Sequence, residues 1–245
     1  MSVPHKKDYN LGVLVTGGGS NFEAIVRNFH DDTSLPAKVN FTAICNRATA
    51  GVYERANRLG VPIEHVPMWG DFPNTDYTNL YKHLEKNSYD RLVMAGFLKV
   101  LPENITDVMY KGRVLNIHPA LLPLDEGAMG YKTTLERLMA SPELPRVVGC
   151  TVQIAIKDVD KGPLIAQYGH FIPDDIWKIQ DFELKLAKVS EIALYFEWEL
   201  YPMVLKNQLF GTKIDLSKAA ETGLAQIKKN LGREIKMAHF WQKAS

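Results

Sequence analysis

Short apolar runs alternate with segments whose apolar residues recur every three or four positions over roughly the first half of the chain. Gly12 to Val15 precedes a helical stretch from Asn21 to Phe29, and Asn40 to Cys45 precedes Ala50 to Leu59. The alternation continues through Pro62 to Val66, Asp76 to Lys86, Arg91 to Ala95, Pro102 to Tyr110 and Arg113 to Ile117. Strand and helix in strict succession predict βαβ crossovers and a parallel sheet with helices on both faces. Ligands of such sheets gather beyond the carboxyl ends of the strands.

After His118 the rhythm changes. From Val147 to Ile156, Val148, Cys150, Val152, Ile154 and Ile156 fall on one face, and Gly149, Thr151, Gln153 and Ala155 on the other. A period of two predicts a longer strand with one apolar and one more polar face, paired with Pro163 to Phe171 as an antiparallel hairpin. Asp181 to Leu205 reads as a long amphipathic helix ending near Pro202, because proline lacks the N–H that a helix interior needs. The stretch 208–245 carries Gly211, Gly223 and Gly232 and reads as a peripheral helical extension of a main domain spanning 1–207.

Composition refines this picture only slightly. The 245 residues are 46% hydrophobic and 23% charged, enough to bury a substantial core, and a formal charge of +1 provides no global field for nucleic acid. The first ten residues are polar, and no apolar run approaches the roughly 18 to 20 residues of a membrane span, so a cytoplasmic location is expected. Cys45 and Cys150 lie inside apolar, strand-like runs and are expected to be buried, inert thiols. No Cys/His spacing suggests a metal.

Candidate chemistry concentrates in two places. Asn116 and His118 end a strand and, two residues apart, project to the same side roughly 6 to 7 Å from each other, so one small substrate can touch both. Pro119 keeps His118 extended and marks the end of the strand. Near the N-terminus a strand runs into Gly17-Gly18-Gly19-Ser20-Asn21 and then a helix, the arrangement in which backbone N–H groups and the helix dipole bind an anion, with phosphate the natural candidate. Phe22 stands where a dinucleotide fingerprint needs its third glycine, and the second strand ends in Asn46-Arg47 rather than an acidic residue. An NAD enzyme is therefore disfavoured, while Arg47 leaves NADP open.

Taken together, Gly17 to Ile25, Ala95-Gly96-Phe97-Leu98-Lys99-Val100-Leu101, Asn116 to Pro123, and Gly149 to Val152 followed by Asp158 to Pro163 resemble the folate-dependent formyltransferases. The resemblance covers roughly residues 9 to 205 and is strongest to the branch that formylates glycinamide ribonucleotide (GAR). It implies a Rossmann-like α/β fold with a mostly parallel central sheet, an antiparallel C-terminal hairpin and flanking helices. It further implies transfer of a formyl group from 10-formyltetrahydrofolate, as co-substrate, to the amine of GAR in purine synthesis. Asn116, His118 and Asp160 would then be catalytic, and Gly17 to Asn21 would hold the substrate phosphate. Glu197 would meet the ribose, and Phe97, Leu98, Lys99, Val100 and Leu101 would bind folate. The partners implied are these small molecules alone, with no nucleic acid or membrane, in a monomer or homodimer.

Three positions depart from the family pattern. Gln153 replaces a histidine and can line the site but carries no proton at neutral pH. Leu124 to Lys132 lacks the usual proline-glycine and histidine-rich loop, and Phe72 to Tyr77 lacks an arginine near the ligands. The alternatives left open are a different amine acceptor, formyltetrahydrofolate deformylase, and a non-catalytic folate or nucleotide binder.

Overall fold

Strand β1 (Asp8–Val15) pairs in parallel with β2 (Lys38–Cys45) on one side and β4 (Arg91–Met94) on the other. β3 (Ile63–His65) extends the sheet beyond β2, and β5 (Val114–His118) beyond β4. The order β3-β2-β1-β4-β5 is the parallel arrangement expected from the alternation. Helices α1 (Ser20–His30), α2 (Val52–Leu59) and α3 (Thr78–Lys86) supply the crossovers. The expected helix over Pro102 to Tyr110 is instead a single π-helical turn, Asn104–Met109, in which the Tyr110 N–H donates to the Ile105 carbonyl. The computed structural model describes residues 8–127 and 129–242, so parts of the N-terminal segment and of the Leu124 to Lys132 loop lie outside the described residues.

Compactness divides the chain into two units. The first comprises the residues up to Asn116 together with Ala155–Lys157; the second comprises Ile117–Ile154 and the chain from Asp158 onward. The first unit's core is a cluster that includes Leu14, Ile44, Leu80, Leu92, Ile105 and Val114, all at most lightly exposed. At about 1.5–3 kcal/mol per fully buried aliphatic or aromatic side chain, this cluster dominates the unit's stability.

In the second unit β6 (Val147–Ile154) and β7 (Leu164–Phe171) form the expected antiparallel hairpin. Both faces of β6 are buried, not one: Gly149, Thr151 and Gln153 are as enclosed as Val148, Cys150 and Val152. Burial on the polar face is sustained by hydrogen bonds. Thr151 Oγ1 donates to the Ala120 carbonyl at 2.7 Å and accepts from Leu122 N at 3.1 Å and Gln167 Nε2 at 2.9 Å, which fixes the segment following His118. α4 (Gly130–Ala140) and the short α5 (Asp174–Trp177) complete the middle of this unit.

Two expectations for the C-terminal third are corrected. α6 runs from Phe182 to Phe210, straight through Pro202, and stops at Gly211, whose left-handed backbone (φ 68°) caps it. A proline inside a helix costs about 3 kcal/mol, and the buried Tyr201, Val204 and Leu205 around it return more than that. The tail is not wholly helical: α7 (Leu216–Leu231) is followed by β8 (Met237–Gln242), which pairs antiparallel with β7. The expected boundary at 207/208 falls inside α6. Tyr168 of β7 ties the tail in, donating to the Leu216 carbonyl at 2.6 Å and meeting Phe240 edge-on with ring centroids 5.6 Å apart. Among the described residues no helix is long and apolar enough to cross a membrane.

Candidate active site

β1 delivers the chain into the glycine loop, and α1 begins at Ser20 directly after it. Gly19 adopts φ 77°, and a Cβ there would stand 2.7 Å from Val52 Cγ2, so both backbone conformation and space demand glycine. A Cβ at Gly17 or Gly18 would meet nothing within 4 Å, so the main chain is open to close approach there. Among the described residues no side chain caps α1. The positive end of the helix dipole therefore faces the loop. Glu23, in the first turn, binds Arg27, Arg55 and Arg58, which ties α1 to α2. Burial would raise the Glu23 carboxyl, but the three guanidinium hydrogen bonds outweigh it and hold the pKa down to about 2.

The Gly96 to Leu101 segment is stitched to this loop. Thr16 N donates to the Gly96 carbonyl at 3.0 Å, and Leu98 N donates to Thr16 Oγ1 at 2.9 Å. The five residues expected to bind folate separate by environment. Phe97 and Leu101 belong to the packed core, whereas Leu98 is 67% exposed. Lys99 reaches the Gly70 carbonyl at 2.6 Å and Asp71 at 2.7 Å, and the Val100 carbonyl accepts from the Tyr77 hydroxyl. Leu98 is thus the exposed side chain of this segment, with Lys99 and Val100 half-buried.

Asn116 is half-buried near the end of β5, in register with Met94. His118 follows two residues later on the same strand and is 5% exposed. His118 Nδ1 faces Asp160 Oδ2 at 3.4 Å, with both side chains only 6% exposed. Asp160 sits in the turn after β6 at φ 57°, a left-handed conformation uncommon outside glycine, asparagine and aspartate. Gly162 permits that turn, since a Cβ there would overlap the Ile154 carbonyl. The carboxylate is further fixed by Gly127 N at 2.8 Å on Oδ2 and Gln153 Nε2 at 2.9 Å on Oδ1. Gln153 therefore contacts the predicted catalytic aspartate, and its own Oε1 is buried with no protein partner.

Glu197, expected to meet ribose, lies on α6. It is 4% exposed, and Oε1 accepts from the Tyr131 hydroxyl at 2.5 Å, so Tyr131 covers the carboxylate expected to meet ribose. Burial and the Glu197 charge push the Tyr131 hydroxyl well above its ordinary range, so it remains a donor.

Sequence reasoning missed Asp125, Thr134 and Arg137. The Asp125 carbonyl meets His118 Nε2 at 2.7 Å, while its carboxylate is held by Thr134 and Arg137. The three-residue spacing of Thr134 and Arg137 on α4 was the available signal for a shared partner. Among the described residues, no group of three or more His, Cys, Asp or Glu stands close enough to hold a metal ion.

The fold is α/β, with an open glycine loop leading into a helix that has no side-chain cap and a buried imidazole–carboxylate pair. The chain belongs to the formyl transferase family, which it matches over residues 9–187. Among its relatives, the human trifunctional purine biosynthetic protein adenosine-3 is 32% identical over 210 residues, 84% of this chain and 19% of that protein. Phosphoribosylglycinamide formyltransferase of Bacillus subtilis is 28% identical over 208 residues, covering 82% of this chain and 94% of that enzyme. The solved glycinamide ribonucleotide transformylase 1 from Geobacillus kaustophilus superposes with a TM-score of 0.66 at 30% identity, covering 82% of this chain and 98% of that one. The chain spans only 12% to 19% of the length of the trifunctional proteins it matches.

Proposed function

We propose that this protein transfers the formyl group of 10-formyltetrahydrofolate to the amine of GAR. The observation that carries the reading is the buried His118–Asp160 pair, its carboxylate held by Gln153 on Oδ1 and by Gly127 on Oδ2, in a chain of the formyl transferase family. The amine nitrogen bonds to the formyl carbon, the bond from that carbon to the folate nitrogen breaks, and one proton passes from the amine to the departing nitrogen. Asn116, on the same face of β5 as His118, donates its amide N–H to the formyl oxygen as negative charge develops. His118, with Nε2 on the Asp125 carbonyl and Nδ1 facing Asp160, relays the proton together with that carboxylate, which stabilises the imidazolium. The glycine loop receives the substrate phosphate on main-chain N–H groups.

Purified protein is expected to convert 10-formyltetrahydrofolate to tetrahydrofolate only when GAR is supplied. His118→Ala should lower the rate at least about 100-fold. Turnover with water alone would make the protein a deformylase, and binding without turnover would make it a folate binder. The cover that Tyr131 places on Glu197 favours a second reading, the same chemistry on a different amine, which is supported if GAR fails and another amine restores turnover.

A further inference from the structure

The unusual segment after Pro123 is fastened more heavily than any feature of its sequence suggests. The Asp125 carboxylate, 2% exposed, accepts from Arg137 Nε at 2.7 Å on Oδ1, and from Arg137 Nη2 at 2.7 Å and Thr134 Oγ1 at 2.8 Å on Oδ2. This fork-to-fork geometry is the strong, directional form of an ion pair. Burial alone would raise the Asp125 carboxyl, but the bonds from Arg137 and Thr134 outweigh it and keep the group ionised. By its main chain the same segment touches both members of the catalytic pair. The Asp125 carbonyl meets His118 Nε2 at 2.7 Å, and Gly127 N donates to Asp160 Oδ2 at 2.8 Å.

A carbonyl oxygen only accepts, so the contact with Asp125 requires a hydrogen on His118 Nε2. Nδ1 is then the ring atom that faces Asp160, and it shares a proton with that carboxylate only when the ring takes up a second one. Without the carbonyl, the neutral ring could carry its hydrogen on either nitrogen, and one of the two tautomers would leave Nε2 bare.

We propose that Arg137 is a positioning residue for formyl transfer: by pinning the Asp125 carboxylate it holds the Asp125 carbonyl on His118 Nε2 and so selects the tautomer and ring orientation in which Nδ1 faces Asp160. The role rests on His118 acting in formyl transfer as proposed above. Arg137 itself touches neither member of the pair, and Arg137→Lys keeps the charge but loses the planar fork.

The test combines a spectroscopic and a kinetic readout on the full chain. With 15N-labelled histidine and no ligand, wild-type protein should show His118 with its hydrogen on Nε2, and Arg137→Ala should show a mixture of tautomers. In the formyl-transfer assay, kcat of Arg137→Ala should fall about 10- to 100-fold while both KM values stay within about threefold, and added methylguanidine should restore part of the loss. Arg137→Lys should fall between wild type and Arg137→Ala in both readouts, and it replaces Arg137→Ala should that variant not fold. A folded variant with wild-type His118 signals and wild-type kcat would overturn the proposal and leave the Arg137–Asp125 pair as a loop staple. If GAR supports no turnover in any variant while the His118 tautomer still shifts, the acceptor assignment fails and the positioning role stands.

Discussion

His118 Nδ1 lies 3.4 Å from Asp160 Oδ2, while His118 Nε2 is occupied by the Asp125 carbonyl at 2.7 Å. The ring is held at both nitrogens, so it acts as one unit with its carboxylate. Asp160→Asn should therefore lower kcat by at least about 100-fold, and His118→Ala combined with Asp160→Asn should lose little more than either change alone. Steady-state kinetics of the double-mutant cycle measures this; strictly multiplicative losses would mean that the two residues act independently.

Gln153 donates to the buried Asp160 carboxylate at 2.9 Å. Replacing it with Leu removes one charge-assisted hydrogen bond and should cost about 1.5–3 kcal/mol in urea unfolding at pH 7. An unchanged urea midpoint would show that the contact adds nothing to stability.

The glycine loop separates tolerance of structure from tolerance of ligand. Gly18→Val points into open space and should fold normally, raising the KM for the phosphorylated acceptor far more than the KM for folate. Gly19→Ala meets Val52 in a left-handed backbone and should destabilise the protein by about 1–3 kcal/mol. Equal effects of Gly18→Val on both KM values would remove phosphate from the loop.

Burial lowers the pKa of His170, which is 1% exposed and stacked on Phe196, to about 4. Below the ordinary histidine value of about 6.5 the unfolded chain takes up a proton that the folded protein refuses. The stability tied to this residue is thus complete above pH 6.5 and lost as the pH falls toward 4, by about 2 kcal/mol between pH 7 and pH 5. Urea unfolding at both pH values should show this loss in the wild type and its absence in His170→Phe.

Glu23 works over a lower range. Its pKa of about 2, against 4.5 unfolded, gives stability that is present above pH 4.5 and disappears as the pH falls toward 2. Glu23→Gln should therefore cost about 1–3 kcal/mol at pH 7 and almost nothing near pH 2, as read from thermal unfolding.

The parallel sheet was readable because alternation of period reports which faces are buried, and β1 through β5 follow it closely. His118 and Asp160 were readable as parts of a family motif, and the structure brings them together. Pro202 misled because a local rule about helix interiors was outweighed by the burial of Tyr201 and Val204, a tertiary effect with no local trace. β8 was hidden because Met237–Gln242 owes its strand form to pairing with β7. Asp125 and Arg137 lie twelve residues apart, and the spacing of Thr134 and Arg137 marks only a common helix face, so the folded loop alone identifies Asp125 as their partner. Glu197 was assigned by its place in a motif, and only the packing of α4 on α6 reveals that Tyr131 covers it.

β8 shields the outer edge of β7 and packs Phe240 against Tyr168, a side chain with no solvent exposure. A version of this protein cut back to residue 207 would present β7 as a bare template for strands of neighbouring molecules and wet the ring of Tyr168. Such a fragment, though it would retain His118 and Asp160, is expected to precipitate or form inclusion bodies.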